Sequence, residues 1–437
     1  MSDTSTLIAI VGAGPSGLAV AKALKGRNIP YRQFEAEEDL GGNWYHGVYQ
    51  NAHIISSKKT TEFADFPMPD SYPDFPNGQQ MLSYLRTYAE TFNLRENIEF
   101  KRKITAVKQR ADLLWDVQLD EGEWTAFKGV VVCNGHHWDR RYPEYPGTFS
   151  GEILHSKDYK NPDQLRGKNV LVIGGGNSAC DIASEAARVA KTCSLSLRHG
   201  YWFLPKTVFG TPLTEIFSVS WPVWAQRLIL QIILKITVGD YQKYGLPHPN
   251  HKIFERHPTV NSELLHYLKH GRIKPYSDVR RYDGTEVEFV DGRKANFDLI
   301  VCATGYHLSI PFLPKELVNI KNGVLQVYGG SAMAEAKNLY VFGTLQPRYG
   351  FGPLMTPAAN LLATMIEMQE KMVLPVGLVL KKMGDKPAQS PLVDPIQTLR
   401  QLASFKRRAF LVPIVEKQLR KHLAAGLNQL SFTEDKR

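Results

Sequence analysis

The hydrophobic and polar positions repeat one pattern twice along the chain. Residues 7–11 form a short apolar run rich in β-branched side chains, and a glycine turn and a helical pattern follow it. Residues 169–173 begin the same succession of apolar run, glycine turn and helical pattern. Such a run predicts a buried strand, and the change to a period of about 3.6 residues predicts a helix. The repetition therefore predicts two successive βα units.

Other apolar runs supply neighbouring strands for each unit. We expect residues 31–35 and 194–197 to form the second strand of each unit. Residues 129–133 and 299–302 are apolar runs that end in Asn-Gly and Ala-Thr-Gly, and we expect them to return beside the first strands. Ligands of such sheets bind outside the carboxyl ends of the strands, so these polar ends predict two edges that contact a cofactor.

Residues 201–260 interrupt the alternation of strands and helices, and we predict an insertion there. Prolines divide the stretch into aromatic and apolar segments, at Pro205, Pro212, Pro222, Pro247, Pro249 and Pro258. Its most apolar part, residues 221–238, is interrupted by two glutamines, an arginine and a lysine. It fails the test of about 20 uninterrupted apolar residues for a membrane span. A helix that lines a substrate route or rests on a lipid surface fits the pattern.

These elements predict an α/β protein with two Rossmann-like dinucleotide-binding domains, the second inserted in the first, with a helical insertion. We place the N-terminal part of the first domain at residues 1–160. The second domain is expected at 161–300 with its insertion at 201–260, and the return of the first domain with basic terminal helices at 301–437. A chain of 437 residues exceeds one ordinary domain, which fits this division.

The formal net charge of +10 is concentrated near the C-terminus, where basic and apolar positions interleave. This pattern permits two interpretations: a solvated helix with one face packed on the body, or a basic amphipathic surface on anionic lipid. Peripheral membrane contact through residues 216–238 or 400–425 is therefore one expectation. A nucleic-acid binder is disfavoured, because the sequence has no basic helix or aromatic stacking platform with the required spacing.

The N-terminus and the cysteines predict a cytoplasmic protein. The first apolar run has no basic region before it and continues into a glycine loop, so we predict a strand there and no signal peptide. Four cysteines lie far apart, without a CxxC pair and without metal-ligand spacing to histidine, which indicates reduced thiols and no metal site.

The first glycine turn carries the dinucleotide fingerprint. Its first glycine permits a tight turn, its second lets backbone approach a pyrophosphate, and its third lets the helix pack on the strand. The phosphates then lie at the helix N-terminus, where free N–H groups and the helix dipole stabilise them. An acidic residue ends the second strand, where ribose hydroxyls require it. The predicted contacts are Gly12, Gly14, Pro15, Ser16, Gly17 and Glu35.

The second glycine turn has no acid at the end of its second strand. A carboxylate there would repel a 2′-phosphate, whereas a guanidinium pairs with it through two hydrogen bonds. The second turn therefore favours NADPH over NADH. Arg198 is the first candidate ligand, and His199 and Lys206 are weaker ones that exposed basic residues would explain equally well. The turn itself supplies Gly174, Gly176, Asn177 and Ser178.

The segment between the two units has the pattern FxGxxxHxxxY, at Phe149, Gly151, His155 and Tyr159. This pattern resembles the fingerprint of the flavin-containing monooxygenases. Baeyer–Villiger monooxygenases carry a similar pattern that continues with tryptophan, and Tyr159 at that place favours the branch that oxidises heteroatoms. Most of the chain is similar to the family in the same order, through NGHH, GGGNSACDIA, RHGYW, ATGY and GTLQP.

The resemblance implies FAD on the first glycine loop and NADPH on the second. NADPH would reduce FAD, and O₂ would add at flavin C4a. The terminal oxygen of this (hydro)peroxyflavin would then pass to an amine nitrogen or a sulfide sulfur of a small molecule. No acid–base triad is needed for this transfer. The resemblance also suggests a homodimer.

The resemblance also places individual side chains. Gln346 is expected near the flavin ring, and Asn177 near the nicotinamide and the active site. Thr304 and Gly305 end the second return strand, at an edge that faces a cofactor. A further glycine turn either approaches the flavin or forms a surface turn whose tryptophan caps the core, at Gly42, Asn43 and Trp44.

One position departs from the family pattern. Members carry an asparagine, thought to hold the oxygenated flavin and NADP⁺, where this chain has Ile55. Isoleucine offers no hydrogen bond, and Asn51, His53, Ser56 and Ser57 lie close enough in the sequence to be candidates for the role. Three alternatives therefore stay open beside heteroatom oxygenation: Baeyer–Villiger oxidation of ketones, a largely uncoupled NADPH oxidase that produces H₂O₂, and a flavin-loaded binding or sensor protein. A flavin disulfide reductase is disfavoured, because it needs a redox cysteine pair.

Overall fold

Five parallel strands form the sheet that carries the first glycine turn. The computed structural model describes residues 3–216 and 221–434. From edge to edge, this first sheet contains the strands Leu339–Val341, Gly129–Val132, Ile8–Val11, Tyr31–Phe34 and Ile98–Glu99. All neighbouring pairs are parallel. The strand Leu339–Val341 comes from the C-terminal part, so the chain returns to the first sheet after it has built the second.

A second sheet of five parallel strands carries the second glycine turn. Its strands, from edge to edge, are Ile273–Tyr276, Thr192–Ser196, Asn169–Ile173, Leu299–Cys302 and Glu152–His155. The predicted strands at 169–173, 194–197 and 299–302 are confirmed with small shifts of their ends. The predicted α/β class with two Rossmann-like sheets is confirmed as well.

The second sheet begins before the predicted domain limit at residue 160. Strand Glu152–His155 pairs with Leu299–Cys302 in the second sheet, whereas the prediction assigned it to the first domain. This strand lies at the edge of the sheet, and its Ile153 is exposed. An exposed edge strand does not need the apolar pattern by which a buried strand is predicted from sequence. The second sheet therefore starts at residue 152, and the other domain limits stay predictions.

The two connections between the sheets are hydrogen-bonded to each other. Asp139–Arg140, on the way into the second sheet, pairs antiparallel with Tyr306–His307, on the way out. Arg141 Nε donates to the Thr304 carbonyl at 3.1 Å, and the Thr304 hydroxyl donates to the Arg141 carbonyl. The chain therefore crosses between the sheets as a two-stranded ribbon.

Helices cover both sheets and begin where the glycine turns end. Helix Pro15–Lys25 has proline in its first turn, where a backbone N–H would have no partner within the helix. This helix packs on helix Gly352–Glu370. Its Leu18 is fully buried, and truncation to alanine would cost about 2–5 kcal/mol. Helix Gly78–Thr91 starts with a capping box. Helix Asn177–Val189 packs on Leu264–Lys269.

The insertion contains one long helix, Val223–Thr237. Its inner face buries Gln226, Leu230 and Leu234, and the Tyr349 hydroxyl donates to the Gln226 side-chain oxygen. Its outer face exposes large apolar side chains at helical spacing: Trp224, Leu228, Ile232 and Ile236. The membrane contact expected for 216–238 stays a prediction, and residues 217–220 of that range lie outside the described residues.

The C-terminal helices are Pro395–Arg408 and Leu411–Glu434. Phe410 and Ile414 are exposed beside basic side chains, so the expected contact of residues 400–425 with lipid also stays a prediction. In the part of the chain that the structure describes, no helix is long and apolar enough to cross a membrane.

Shorter elements complete the fold. Two antiparallel three-stranded sheets consist of Ile104–Gln109, Trp115–Leu119 and Trp124–Phe127, and of Val279–Asp283, Glu286–Phe289 and Lys294–Asn296. Two-residue strands pair as Phe203–Leu204 with Thr259–Val260, Thr207–Val208 with Thr211–Pro212, Ile320–Lys321 with Val324–Leu325, and Gln346–Pro347 with Leu392–Val393. The short helices are Lys58–Thr61, Leu213–Ile216 and Val376–Lys382.

Candidate active site

The first glycine turn forms a cradle of bare backbone at the carboxyl edge of the first sheet. Gly12 has φ +95°, and a Cβ there would lie 2.7 Å from the Cys133 carbonyl oxygen. Gly17 is buried beneath Gly12, where any Cβ would overlap the Gly12 carbonyl. Gly14 begins the helix, and Pro15 and Ser16 form its first turn. The open side of the turn therefore presents helix N–H groups, as a pyrophosphate requires.

Glu35 closes this cradle from the end of the second strand. One carboxylate oxygen accepts the Ala13 N–H at 2.6 Å, and the other accepts the Glu37 N–H at 3.1 Å. Burial raises the pKa of the Glu35 carboxyl above its usual value. The carboxylate therefore lies against the glycine turn, at the position that ribose recognition predicts.

The predicted flavin loop lies directly against the first glycine turn. A Cβ at Gly42 would lie 3.0 Å from the Gly14 Cα, so the two backbones approach as closely as glycine allows. The Asn43 side-chain oxygen accepts from Lys157 Nζ at 2.7 Å, and Trp44 packs on the first core. Burial lowers the pKa of Lys157 to about 8. Lys157 belongs to the linker, and no local pattern in the sequence indicated this contact.

Polar groups at the same edge fit a bound flavin. The Asn134 side-chain oxygen is buried and accepts no hydrogen bond from the described residues, although its amide donates to the Ser309 carbonyl at 3.0 Å. Gly343 lies against Ser16, and the short strand that contains Gln346 follows it. The glycine cradle fits the pyrophosphate of FAD, and Glu35 fits its ribose hydroxyls. The unpaired Asn134 oxygen would accept a hydrogen bond from a polar group of the flavin.

The second glycine turn has the same backbone geometry as the first glycine turn, and one of its glycines faces open space. Gly174 has φ +127°, and a Cβ there would overlap the Ala303 carbonyl. At Gly176 a Cβ would meet no atom within 4 Å among the described residues, so the turn is open on the side where a pyrophosphate would approach. Asn177 starts the helix, and its side-chain oxygen accepts the Val260 N–H at 2.8 Å, with Ser178 next in the turn.

The end of the second strand is basic, as the sequence predicts. Arg198 is exposed, and His199 stacks on Tyr201 with ring centroids 4.5 Å apart. Arg256, which the sequence analysis did not single out, lies with Nη1 3.2 Å from His199 Nε2. Lys206 contacts His53 of the first domain through Nζ. A guanidinium that forms no ion pair with a carboxylate of the described residues fits the 2′-phosphate of NADPH.

The linker fingerprint joins the two cradles. His155 is fully buried, accepts the Lys157 N–H at Nδ1 and bonds the Gly305 carbonyl through Nε2, both at 3.1 Å. Because Nδ1 accepts, Nε2 carries the proton, and burial lowers the pKa of this ring. Gly305 and Thr304 thus lie in the crossing ribbon. The Tyr159 hydroxyl donates to the Glu185 carboxylate on the second glycine turn's helix.

Asn51 and Ser56, two polar candidates for the role of the missing asparagine, have partners within the protein. The Asn51 amide donates to Glu185, and Ser56 Oγ lies 2.7 Å from Thr61 Oγ1. Ile55 is half-buried and packs against the apolar cluster of the insertion. Ile55 therefore packs on the insertion, and the side chains of Asn51 and Ser56 are both hydrogen-bonded within the protein.

All four cysteines are buried and unpaired. Burial raises the pKa of the Cys302 thiol to about 12 and raises that of Cys133 further. Such thiols are unreactive at neutral pH, which removes the disulfide-reductase alternative. Two nucleotide cradles that one linker joins, without a redox disulfide, define a flavoprotein oxidoreductase that binds two dinucleotides.

The flavin-binding monooxygenase-like family model matches residues 5–375. The chain is 32% identical to flavin-containing monooxygenase 5 of Oryctolagus cuniculus, over 91% of this chain and 82% of that protein. It is 33% identical to dimethylaniline monooxygenase [N-oxide-forming] 2 of Rattus norvegicus, over 78% and 69%. The chain belongs to the flavin-binding monooxygenase-like family. It is an FAD-dependent monooxygenase that uses NADPH.

Solved structures share the fold. A flavin-containing monooxygenase from Stenotrophomonas maltophilia aligns with TM-score 0.64 and 22% identity, over 83% of this chain and 98% of that chain. A closed form of cyclohexanone monooxygenase aligns with TM-score 0.70 and 17% identity, over 94% and 98%. At these identities the alignments show a common two-domain fold.

Two of the three glycines of the second turn, Gly174 and Gly176, give a matched pair of variants. Gly176→Ala should fold normally and weaken NADP⁺ binding about tenfold or more, because its methyl group would enter open space that the pyrophosphate needs. Gly174→Ala should lose the fold of the second domain, because φ +127° and the Ala303 carbonyl exclude a side chain. Calorimetric titration and thermal unfolding measure both effects. Unchanged NADP⁺ affinity in Gly176→Ala would contradict the cradle.

Arg198→Ala should raise the KM for NADPH about 10–100-fold and change the KM for NADH by less than about twofold, because only NADPH carries the 2′-phosphate. Steady-state oxidation of each cofactor by the FAD-loaded enzyme measures the two values. Equal increases for both cofactors would show that Arg198 has a different role.

Proposed function

We propose that this enzyme uses NADPH and O₂ to transfer one oxygen atom to an amine nitrogen or a sulfide sulfur of a small molecule. The observation that carries the proposal is Tyr159, which ends the linker fingerprint and donates its hydroxyl to Glu185. Tryptophan, which ends the Baeyer–Villiger pattern, has an N–H in another position and could not make this bond in the same way. The similarity to an N-oxide-forming relative supports the same assignment.

The residues of the two cradles bind and orient the cofactors. Gly12, Gly14 and Glu35 would hold FAD, and Gly174, Gly176 and Arg198 would hold NADPH. When bound, FAD accepts hydride from NADPH and supplies the activation of O₂. Oxygen transfer to a soft nucleophile needs no protein base, so the protein contributes orientation and exclusion of water.

The surroundings of Ile55 are suited to excluding water. Ile55 packs on the apolar cluster of the insertion, which includes Leu230, Leu234 and Phe254. Tyr349 packs on the same cluster and joins it to the segment that follows Gln346. A substrate that binds against this apolar cluster would be an uncharged, lipophilic amine or sulfide rather than a charged metabolite.

The return segment offers no uncompensated cation for Baeyer–Villiger chemistry at Arg348. Ketone oxidation needs an anionic oxidant, which a nearby unpaired cation would stabilise. The cation of this segment, Arg348, forms a buried ion pair with Asp394, and its guanidinium lies 4.9 Å from the Phe254 ring centroid. Its charge is therefore compensated within the protein.

A substrate panel tests the proposal. The FAD-loaded enzyme is mixed with NADPH and ¹⁸O₂ in the presence of a tertiary amine, a sulfide, an indole or a cyclic ketone, and products are identified by mass spectrometry. We expect labelled N-oxide or S-oxide at rates at least about tenfold above any lactone. Faster lactone formation would establish the Baeyer–Villiger alternative. NADPH consumption with only H₂O₂ as product would establish the uncoupled oxidase.

Ile55→Asn should lower the yield of H₂O₂ per NADPH severalfold in the presence of substrate, because the amide restores a hydrogen-bond donor that isoleucine lacks. Ile55→Leu is the matched control, since leucine has the shape of asparagine without its polar atoms. Peroxide detection beside NADPH absorbance gives the ratio. Equal yields in the two variants would show that position 55 does not control coupling.

A further inference from the structure

The end of the insertion lies on top of the second glycine turn. The Thr259 hydroxyl donates to the Gly175 carbonyl at 2.7 Å, and the Val260 N–H donates to the Asn177 side-chain oxygen at 2.8 Å. Thr259 is also buried, and the strand Thr259–Val260 pairs with Phe203–Leu204. These bonds fix the backbone just after Arg256, so Arg256 reaches the NADPH end of the second sheet from a rigid support.

His199 holds the Arg256 guanidinium in place. His199 Nδ1 lies 3.2 Å from the Gly200 carbonyl oxygen, which can only accept, so Nδ1 carries the ring proton. Nε2 is then an acceptor, and Arg256 Nη1 donates to it at 3.2 Å. The ring stacks on Tyr201 with an interplanar angle of 28°, which fixes its orientation. The imidazole therefore holds a second guanidinium near the end of the strand that carries Arg198.

Two cations, Arg198 and Arg256, lie at this end of the sheet. Within residues 3–216 and 221–434, neither Arg198 nor Arg256 forms an ion pair with a carboxylate, whereas Arg166, Arg188, Arg281 and Arg293 of the same part of the chain do. Both are exposed. The Glu255 carboxylate, next to Arg256 in sequence, accepts the Lys252 N–H at 2.9 Å. Two such cations near one imidazole fit a doubly charged anion.

We propose that Arg256 binds the 2′-phosphate of NADPH together with Arg198, with His199 as the residue that positions it. The insertion then takes part in the choice of NADPH over NADH, in addition to enclosing the substrate. The proposal concerns cofactor binding and does not depend on which atom of the substrate is oxygenated.

Binding of NADP⁺ and NAD⁺ to the FAD-loaded, oxidised enzyme tests the role of Arg256, because the two ligands differ only in the 2′-phosphate. Arg256→Ala should raise the Kd for NADP⁺ about 10–100-fold and that for NAD⁺ by less than about twofold. Arg272→Ala is the control for net charge, since Arg272 is exposed on the same domain. Equal losses for both ligands, or no loss for NADP⁺, would overturn the proposal.

Two further variants test the positioning role of His199. His199→Gln keeps a side-chain acceptor for Arg256 and should retain most of the NADP⁺ affinity, whereas His199→Ala should lose as much as Arg256→Ala. In the double variant with Arg256→Ala, replacement of His199 by alanine should add little further loss. Additive losses, or an equal effect of glutamine and alanine, would show that His199 acts independently of Arg256.

Discussion

Two carboxylates on one helix bind the loop of the first domain to the second domain. Glu185 is buried and accepts from Tyr159 of the linker and Asn51 of the loop, while Asp181 accepts from Tyr49 at 2.7 Å and Asn261 at 2.9 Å. The helix that carries both begins at the second glycine turn. Loss of one donor would leave a buried carboxylate partly unsatisfied, at a cost of about 1–3 kcal/mol or more. The relative placement of the two cradles depends on these bonds.

The glycine turns, their strands and the acid of the first unit could be predicted because each is local. A positive φ requires glycine at Gly12 and Gly174, and short apolar runs mark the strands on either side. The contacts of Lys157 with Asn43 and of Arg256 with His199 join residues more than 50 positions apart. No periodicity marks such pairs, so only the folded chain reveals them. The edge strand Glu152–His155 escaped prediction because an exposed edge needs no apolar alternation.

Different parts of the insertion contact different parts of the protein. Its core packs on Ile55, its helix contacts Tyr349 in the segment after Gln346, and its last strand covers the second glycine turn. One inserted segment therefore contacts Ile55, the return segment and the second glycine turn. Its outer helix face exposes a continuous row of large apolar side chains, which neither cradle requires.

The crossing ribbon determines how the two domains can move. A single tether would let the second domain swing in any direction, but Asp139–Arg140 and Tyr306–His307 are paired, so bending one connection stretches the bonds to the other. Twist about the ribbon axis keeps those bonds intact, and the bonds of Tyr49 and Asn51 to Asp181 and Glu185 oppose it. A protease cut in one of the two connections would leave the halves attached through the other, and the nicked protein would migrate as one particle until it is denatured.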